Sequence, residues 1–331
     1  MFLKSQIYLA SIGQINFDKT ANIHSLQTTL QLQYTEPLKN RYLCTNKHIP
    51  TLSTEIIIKP KSVLSLGWKE LWDYRELLYF FTWKEIKVRY KQAALGILWT
   101  LLQPLAMMVI FVLLLSEGLG IKTGTMPAPI YYLSGLLIWN LFNHAVTHAS
   151  QSMVSNANII KKIYFPRLVI PISAVLTSSF DFLISLFLFY LLLIYYTISG
   201  EIAISWANLT LSLFIGYVIT VFTAFSLGTF LSAVNVKYRD VRYVLPFLIQ
   251  TLFFITPVMY DTSIIKQPWI KSILELNPLN FAIELVRNNI INTSTFFWPE
   301  ITFFVPLLIV LLYVMAIVTF RKTEAYFADI V

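Results

Sequence analysis

The chain has 331 residues, of which 56% are hydrophobic and only 13% charged, with a formal net charge of +8 and a mean hydropathy of +0.65. Its apolar residues fall in long charge-free blocks, which excludes a soluble globular protein and identifies an all-α, polytopic membrane protein. The surplus Lys and Arg sits in short loops beside those blocks, so it reports membrane topology and excludes a nucleic-acid partner.

Residues 1–62 form an extension rich in Gln, Asn, Thr and Ser, without a helical stripe or a 20-residue apolar run. They are expected to be weakly structured, with a short strand around 56–58. The single cysteine, Cys44, excludes an intrachain disulfide and a multi-cysteine metal site. No basic n-region followed by a short apolar stretch opens the sequence, so a cleaved signal peptide is not expected and the first span directs insertion.

Residues 63–92 are expected to form an interfacial amphipathic helix. Trp72, Tyr79, Trp83, Ile86 and Tyr90 recur at spacings of seven, four, three and four, which places them on one stripe, with Lys84, Lys87 and Lys91 on its flank. Such a helix, which also carries Arg89, lies on the inner leaflet with aromatics sunk and ammonium groups toward anionic headgroups. Its polar face also suits a cytosolic partner. Glu76 falls on the apolar stripe and marks a break or a covered point.

A hydrocarbon core needs about 20 apolar residues per helix, and six segments qualify within a transmembrane domain spanning 83–323. They are 95–115, 130–150, 168–196, 206–234, 243–260 and 297–320. The third and fourth exceed the requirement, which implies tilt or extension into solvent. Basic residues cluster before span one, between two and three, between four and five, and after six, whereas the opposite loops hold Lys122, then only Glu201, then mixed charge. Both termini are therefore assigned to the cytosolic side.

The loop between spans two and three reads NANIIKKIYFPR, with Ile160, Lys161, Lys162, Ile163, Tyr164 and Phe165 at its centre. It suits either a positive-inside turn with interfacial aromatics or a rigid wedge inserted into a partner's cleft. A second basic turn, Lys237, Arg239, Asp240 and Arg242, repeats the pattern beside span five and favours the wedge. Residues 261–296 are too long for a turn and contain Pro268 and Pro278. They read as a re-entrant helical hairpin broken at Asn277-Pro278, or as a surface hairpin on the outer face.

Asp181 is the lone acid inside a span. An intramembrane acid is a functional candidate, but no chain of acids and bases surrounds it, so a helix-packing hydrogen bond is the expected role. His144 and His148 stand four apart with Asn140 one turn earlier. No third ligand completes a metal site, and a polar, aqueous pathway face is the better account. No G-x-x-x-x-G-K-[ST] sequence occurs, so ATP binding would fall to another polypeptide. No paired-carboxylate or Ser-His-Asp arrangement suggests an enzyme.

Four motifs then carry a resemblance: LWDYRELLYFFTWKEIKVRYKQAALGILWTLLQP, NIIKKIYFPR, NVKYRDVRYVLPFLIQTLFFITPVMY and NPLNFAIELVRNNI, in that order. Together they resemble the permease subunit of type-2 ABC exporters, most similarly the branch that exports O-antigen, capsular polysaccharide or teichoic acid. The resemblance covers about 63–326 and leaves out the N-terminal extension. It implies a homodimer of six-span permeases in the bacterial plasma (inner) membrane, paired with separate nucleotide-binding ATPase subunits that carry ATP and Mg. No cofactor is then bound by this chain.

The same resemblance implies that the helix around 74–92 docks on the ATPase. Residues 160–165 would be the main coupling helix and 237–242 the second cytosolic contact. The hairpin would close the outer mouth, and spans one, two and five would line a channel for a lipid-linked glycan. Trp99, Trp139, Phe142, Phe253, Phe254 and Tyr260 are the aromatic candidates for stacking on sugar rings, or else for lipid belt and core packing. A type-2 permease for drugs or small lipids, or an ion-coupled secondary transporter, would share parts of this pattern; the latter predicts inverted repeats and intramembrane charges.

Overall fold

The computed structural model describes residues 68–91, 96–121, 123–238, 240–291, 296–298 and 304–324, all within the second of two compact units, Pro60–Val331. The extension with its expected strand, Cys44, Lys122 and Arg239 lie outside the described residues. Every regular element among the described residues is helical.

Four helices are long and apolar enough to cross a membrane, and a fifth apolar one is shorter. The first of the four, α3 (Leu98–Phe111), follows the helices α1 (Trp68–Asp73) and α2 (Arg75–Lys91). It continues as a π-helix over Val112–Gly118. The amides of Leu119 and Ile121 reach back five and six residues to the Leu114 and Leu115 carbonyls, and Gly120, at φ +65°, supplies the left-handed turn that ends the element.

Next comes α4 (Ala128–Ser155), begun by prolines whose missing N–H groups cost nothing in a first turn. It is 28 residues long and buried on nearly all sides from Ile130 to Trp139. Its polar residues, Asn140, Asn143, His144 and His148 among them, distinguish it from the four more apolar helices. Burial all round over Ile130 to Trp139 places that part of α4 at the centre of the bundle, and α4 packs chiefly on α6 (Val169–Ile198) and α7 (Trp206–Lys237).

Close packing depends on α7. Ser212, Gly216, Thr220, Ala224, Gly228 and Ser232 place a small buried residue at every fourth position. Small residues let backbones approach where lipid gives no hydrophobic drive to helix association. A row with that spacing advances about 40° per step, so the stripe winds round α7. A Cβ on Gly216 would touch Val286 at 3.4 Å, and one on Gly228 would lie only 2.6 Å from the Ala149 Cβ.

The shorter apolar helix, α8 (Val241–Ile255), stops before the expected end at residue 260 because Thr256 turns extended. A 3-10 turn at Thr262–Ile264 leads to α9 (Pro268–Glu275) and α10 (Pro278–Ile291). The break between α9 and α10 falls at Asn277, whose side-chain oxygen accepts the Leu279 amide at 3.0 Å and whose amide donates to Thr256 Oγ1 at 3.1 Å. Residues 296–298 are not helical, so the last expected segment begins later than 297, as α11 (Phe304–Glu324).

Candidate functional site

One end of the bundle is assembled around the loop after α4. A four-residue helix, α5 (Ala157–Ile160), turns the chain so that Ile160 and Phe165 are buried while Lys161, Lys162, Ile163 and Tyr164 project outward. The buried pair joins a core with Leu71 and Phe81 of the first helices, Met153, Val169, Val236, Ile317 and Phe320. The Phe81 and Phe165 rings lie 5.7 Å apart. Asn235 Nδ2 donates to the Ser150 carbonyl at 2.9 Å, and Arg167 donates to the Glu324 carbonyl. An exposed, partly basic tip is thus held by a rigid base shared by helices from across the chain. Lys237, Tyr238, Asp240, Arg242 and Tyr243 are exposed on the same end, with the Lys237 ammonium 5.1 Å from the Tyr238 ring centre.

The stretch of α1 and α2 carries two apolar faces, of which the sequence reading found one. Trp72, Tyr79 and Trp83 of the expected stripe are exposed, and the last two stack with centroids 6.3 Å apart. Lys84, Lys87 and Lys91 flank this stripe and, with Phe80, Trp83 and Val88, line a groove of about 400 Å³. Glu76 is exposed, and the interruption falls instead at Tyr74, bridged by hydrogen bonds from the Tyr74 amide to Glu70 and from Leu78 to Tyr74. The second face, Leu71, Tyr74, Leu78 and Phe81, packs into the core around α5.

Further along that second face α2 lies against α6. The Thr177 hydroxyl donates to Glu85 at 3.2 Å. Burial raises the Glu85 carboxyl above its ordinary value, against the opposing pull of that bond and of the Arg89 and Lys84 cations. Arg89 forms an ion pair and hydrogen bond with Asp181, which is only 5% exposed. The Tyr90 hydroxyl also donates to Asp181 and lies 3.1 Å from Thr100 Oγ1. Burial first, and that carboxylate second, raise the Tyr90 phenol above its usual range.

Beside this pair opens a cavity of about 320 Å³ between α2, α3, α4 and α6. Asn140, His144 and His148 line it from α4, Asp181 from α6, and Trp99 and Gln103 from α3. The imidazole rings are 6.3 Å apart, and no group of three His, Cys, Asp or Glu gathers as a metal site among the described residues. The arrangement presents hydrogen-bonding groups and the aromatic side chains Tyr90, Trp99 and Phe182 inside an otherwise apolar bundle.

Of the aromatic candidates, only Trp99 lines that cavity. Trp139 and Phe142 are buried in the core, 5.6 Å apart. Trp139 also packs on Phe253 at 5.1 Å, which joins α4 to α8. Phe254 is exposed, and the Tyr260 hydroxyl donates to the Ile255 carbonyl at 3.0 Å.

At the opposite end, Arg287 of α10 is 8% exposed and donates to the carbonyls of Pro257, Val258 and Tyr131 at 2.8, 2.8 and 3.2 Å. Its guanidinium carbon lies 3.7 Å over the Tyr131 ring. A planar fork of five donors suits three diverging acceptors. Gly135 gives it room, since a Cβ there would fall 2.7 Å from Nη2. The sequence reading missed this clamp, whose signal was a lone Arg in the apolar pattern FAIELVRNNI.

Residues 76–291 match the family model described as ABC-2 type transporter. The chain is 31% identical over 258 residues to the O-antigen export system permease protein RfbA of Klebsiella pneumoniae, covering 77% of this chain and 95% of the relative. It is 32% identical over 213 residues to the protein of that name from Myxococcus xanthus, with 64% and 78% covered. It is 26% identical over 208 residues to the polysialic acid transport protein KpsM of Escherichia coli, with 62% and 77% covered. A model match over well over half of the chain, together with a relative aligned along nearly its whole length, establishes that the chain belongs to the ABC-2 type transporter family.

Proposed function

We propose that the chain is the membrane-spanning permease of an ATP-driven exporter that moves lipid-linked polysaccharide, of O-antigen, capsule or teichoic acid type, across the bacterial plasma membrane. The observation that carries this reading is the wedge after α4: an exposed tip, Lys161 to Tyr164, on a base buried through Ile160 and Phe165. A tip of this kind transmits force only if its base is rigid, and here the base is shared by α2, α6, α7 and α11. The relatives, named for O-antigen export and polysialic acid transport, supply the cargo class.

In this reading α4 and α8 complete six spans with the four long apolar helices, both termini are cytosolic, and α9 with α10 is a re-entrant hairpin at the outer mouth. The chain acts as a homodimer with two ATPase subunits. Large apolar side chains of α3 and α8, such as Leu102, Phe247 and Phe254, are exposed in the single chain and leave surface for lipid or for that second copy. ATP-driven closure of the partner subunits displaces the two cytosolic contacts. The helices carry that motion to the cavity at Asp181 and to the hairpin. The chain itself performs no covalent chemistry; its residues bind, exclude water and move as levers. Mild extraction of the tagged chain is expected to recover a separate ABC ATPase in equal amounts, and recovery of the chain alone would count against the reading.

A further inference from the structure

A second cavity, of about 360 Å³, lies between the turn at residues 123–126, the start of α4, the turn after α8, and α10. Its lining is polar in an unusual way. Asn280 is 2% exposed, yet its Nδ2 has no hydrogen-bond partner in the protein, and the same holds for Tyr131 Oη and Arg287 Nε. Buried donors are ordinarily paired, and each exception calls for a partner. Asp261 and Glu284 line the same cavity and contribute carboxylate acceptors.

The mixture selects the ligand class. A divalent cation takes oxygen acceptors only, and the amide and guanidinium donors oppose it. Phosphate or another anion is opposed by the two carboxylates, and of the guanidinium only Nε is left to meet it, since Nη1 and Nη2 are bonded to three carbonyls. A neutral polyol both donates and accepts at every hydroxyl, and Tyr131 adds a ring at the wall. The volume sits at the low end of the ~300–1,000 Å³ typical of small-molecule sites, which suits one ring rather than a chain.

Building on the export reading, we propose that this cavity is a subsite for a single neutral sugar residue of the exported glycan, held by Asn280 as donor and by Asp261 and Glu284 as acceptors. The hairpin clamp through Arg287 sets the site's shape and joins the bound sugar to the position of α10.

Saturation-transfer NMR on the full chain with its ATPase partner in lipid nanodiscs tests this. The probe is the monosaccharide mixture released by acid hydrolysis of the source cell's own surface polysaccharide. Transfer to at least one neutral sugar is expected, at least fivefold weaker in Asn280→Leu and in Glu284→Ala, and unchanged in Leu191→Ala, an exposed residue of α6 that lines neither cavity. Glu284 is half-buried, so its variant keeps the test valid should Asn280→Leu fail to fold. Absence of transfer in the wild type, or equal transfer in both variants, overturns the subsite. Export is read separately, from surface glycan in cells lacking the chain: glycan lost there without sugar transfer in the nanodisc overturns the subsite alone, whereas glycan retained there overturns the export reading.

Discussion

Arg89 near the end of α2 is paired with Asp181 of α6, a residue 92 positions later in the chain. The pair ties the helix that leads into the first span to the wall of the polar cavity, and it accounts for a lone acid in an apolar helix. A buried charge is stable only when paired and hydrogen-bonded, and Tyr90 supplies the additional bond.

Removing one partner strands the other. We predict that Asp181→Leu and Arg89→Leu each destabilise the protein by about 3 kcal/mol, toward the lower end for broken buried pairs because Arg89 keeps some solvent contact. The double variant should lose clearly less than the sum. Thermal melts in detergent measure this, and additivity within about 0.5 kcal/mol would show the two residues to be independent.

Glu85 makes stability depend on pH. Its carboxyl is raised in the folded protein above the ordinary 4.5, chiefly by burial, so the folded state holds the proton more tightly than the unfolded one. The resulting stabilisation is complete below the ordinary value and is lost as pH climbs through the raised one. Melting temperature is therefore predicted to fall across that window, and Glu85→Gln to flatten the slope and melt higher at neutral pH. Parallel profiles for the two proteins would contradict the assignment.

Gly228 and Ala149 test the close approach of α7 and α4. A Cβ at Gly228 would lie 2.6 Å from that of Ala149, so Gly228→Ala should cost about 1–3 kcal/mol, the usual range for overpacking. Adding Ala149→Gly should recover most of the loss. If the second change makes matters worse, the approach is not what limits packing there.

The class and helix order were legible because apolar length and Lys/Arg placement are one-dimensional signals. The wedge was legible for the same reason: IIKKIYF combines buried and exposed residues within one turn. The Arg89–Asp181 pair was not, since its members belong to different helices 92 positions apart in the chain. The second face of α2 was hidden by the louder Trp/Tyr stripe. The Ser212 to Ser232 row was readable in principle, as small residues at every fourth position, but hydropathy alone does not register it. Trp139 and Phe142 look like sugar platforms by residue type, and their burial, with Trp139 against Phe253 and Phe142 against Trp139, is visible only in the structure.

The central claim is that this chain carries polysaccharide and is driven through its cytosolic wedge. Surface polysaccharide should be measured in cells lacking the chain and complemented with wild type or with Lys161→Glu/Lys162→Glu. The account predicts no surface polysaccharide without the chain, with lipid-linked material accumulating inside, and full recovery with wild type. It predicts less than about a tenth of that with the charge-reversed form, present in the membrane at wild-type amount. Normal surface polysaccharide in cells without the chain, or in those with the charge-reversed form, would contradict it.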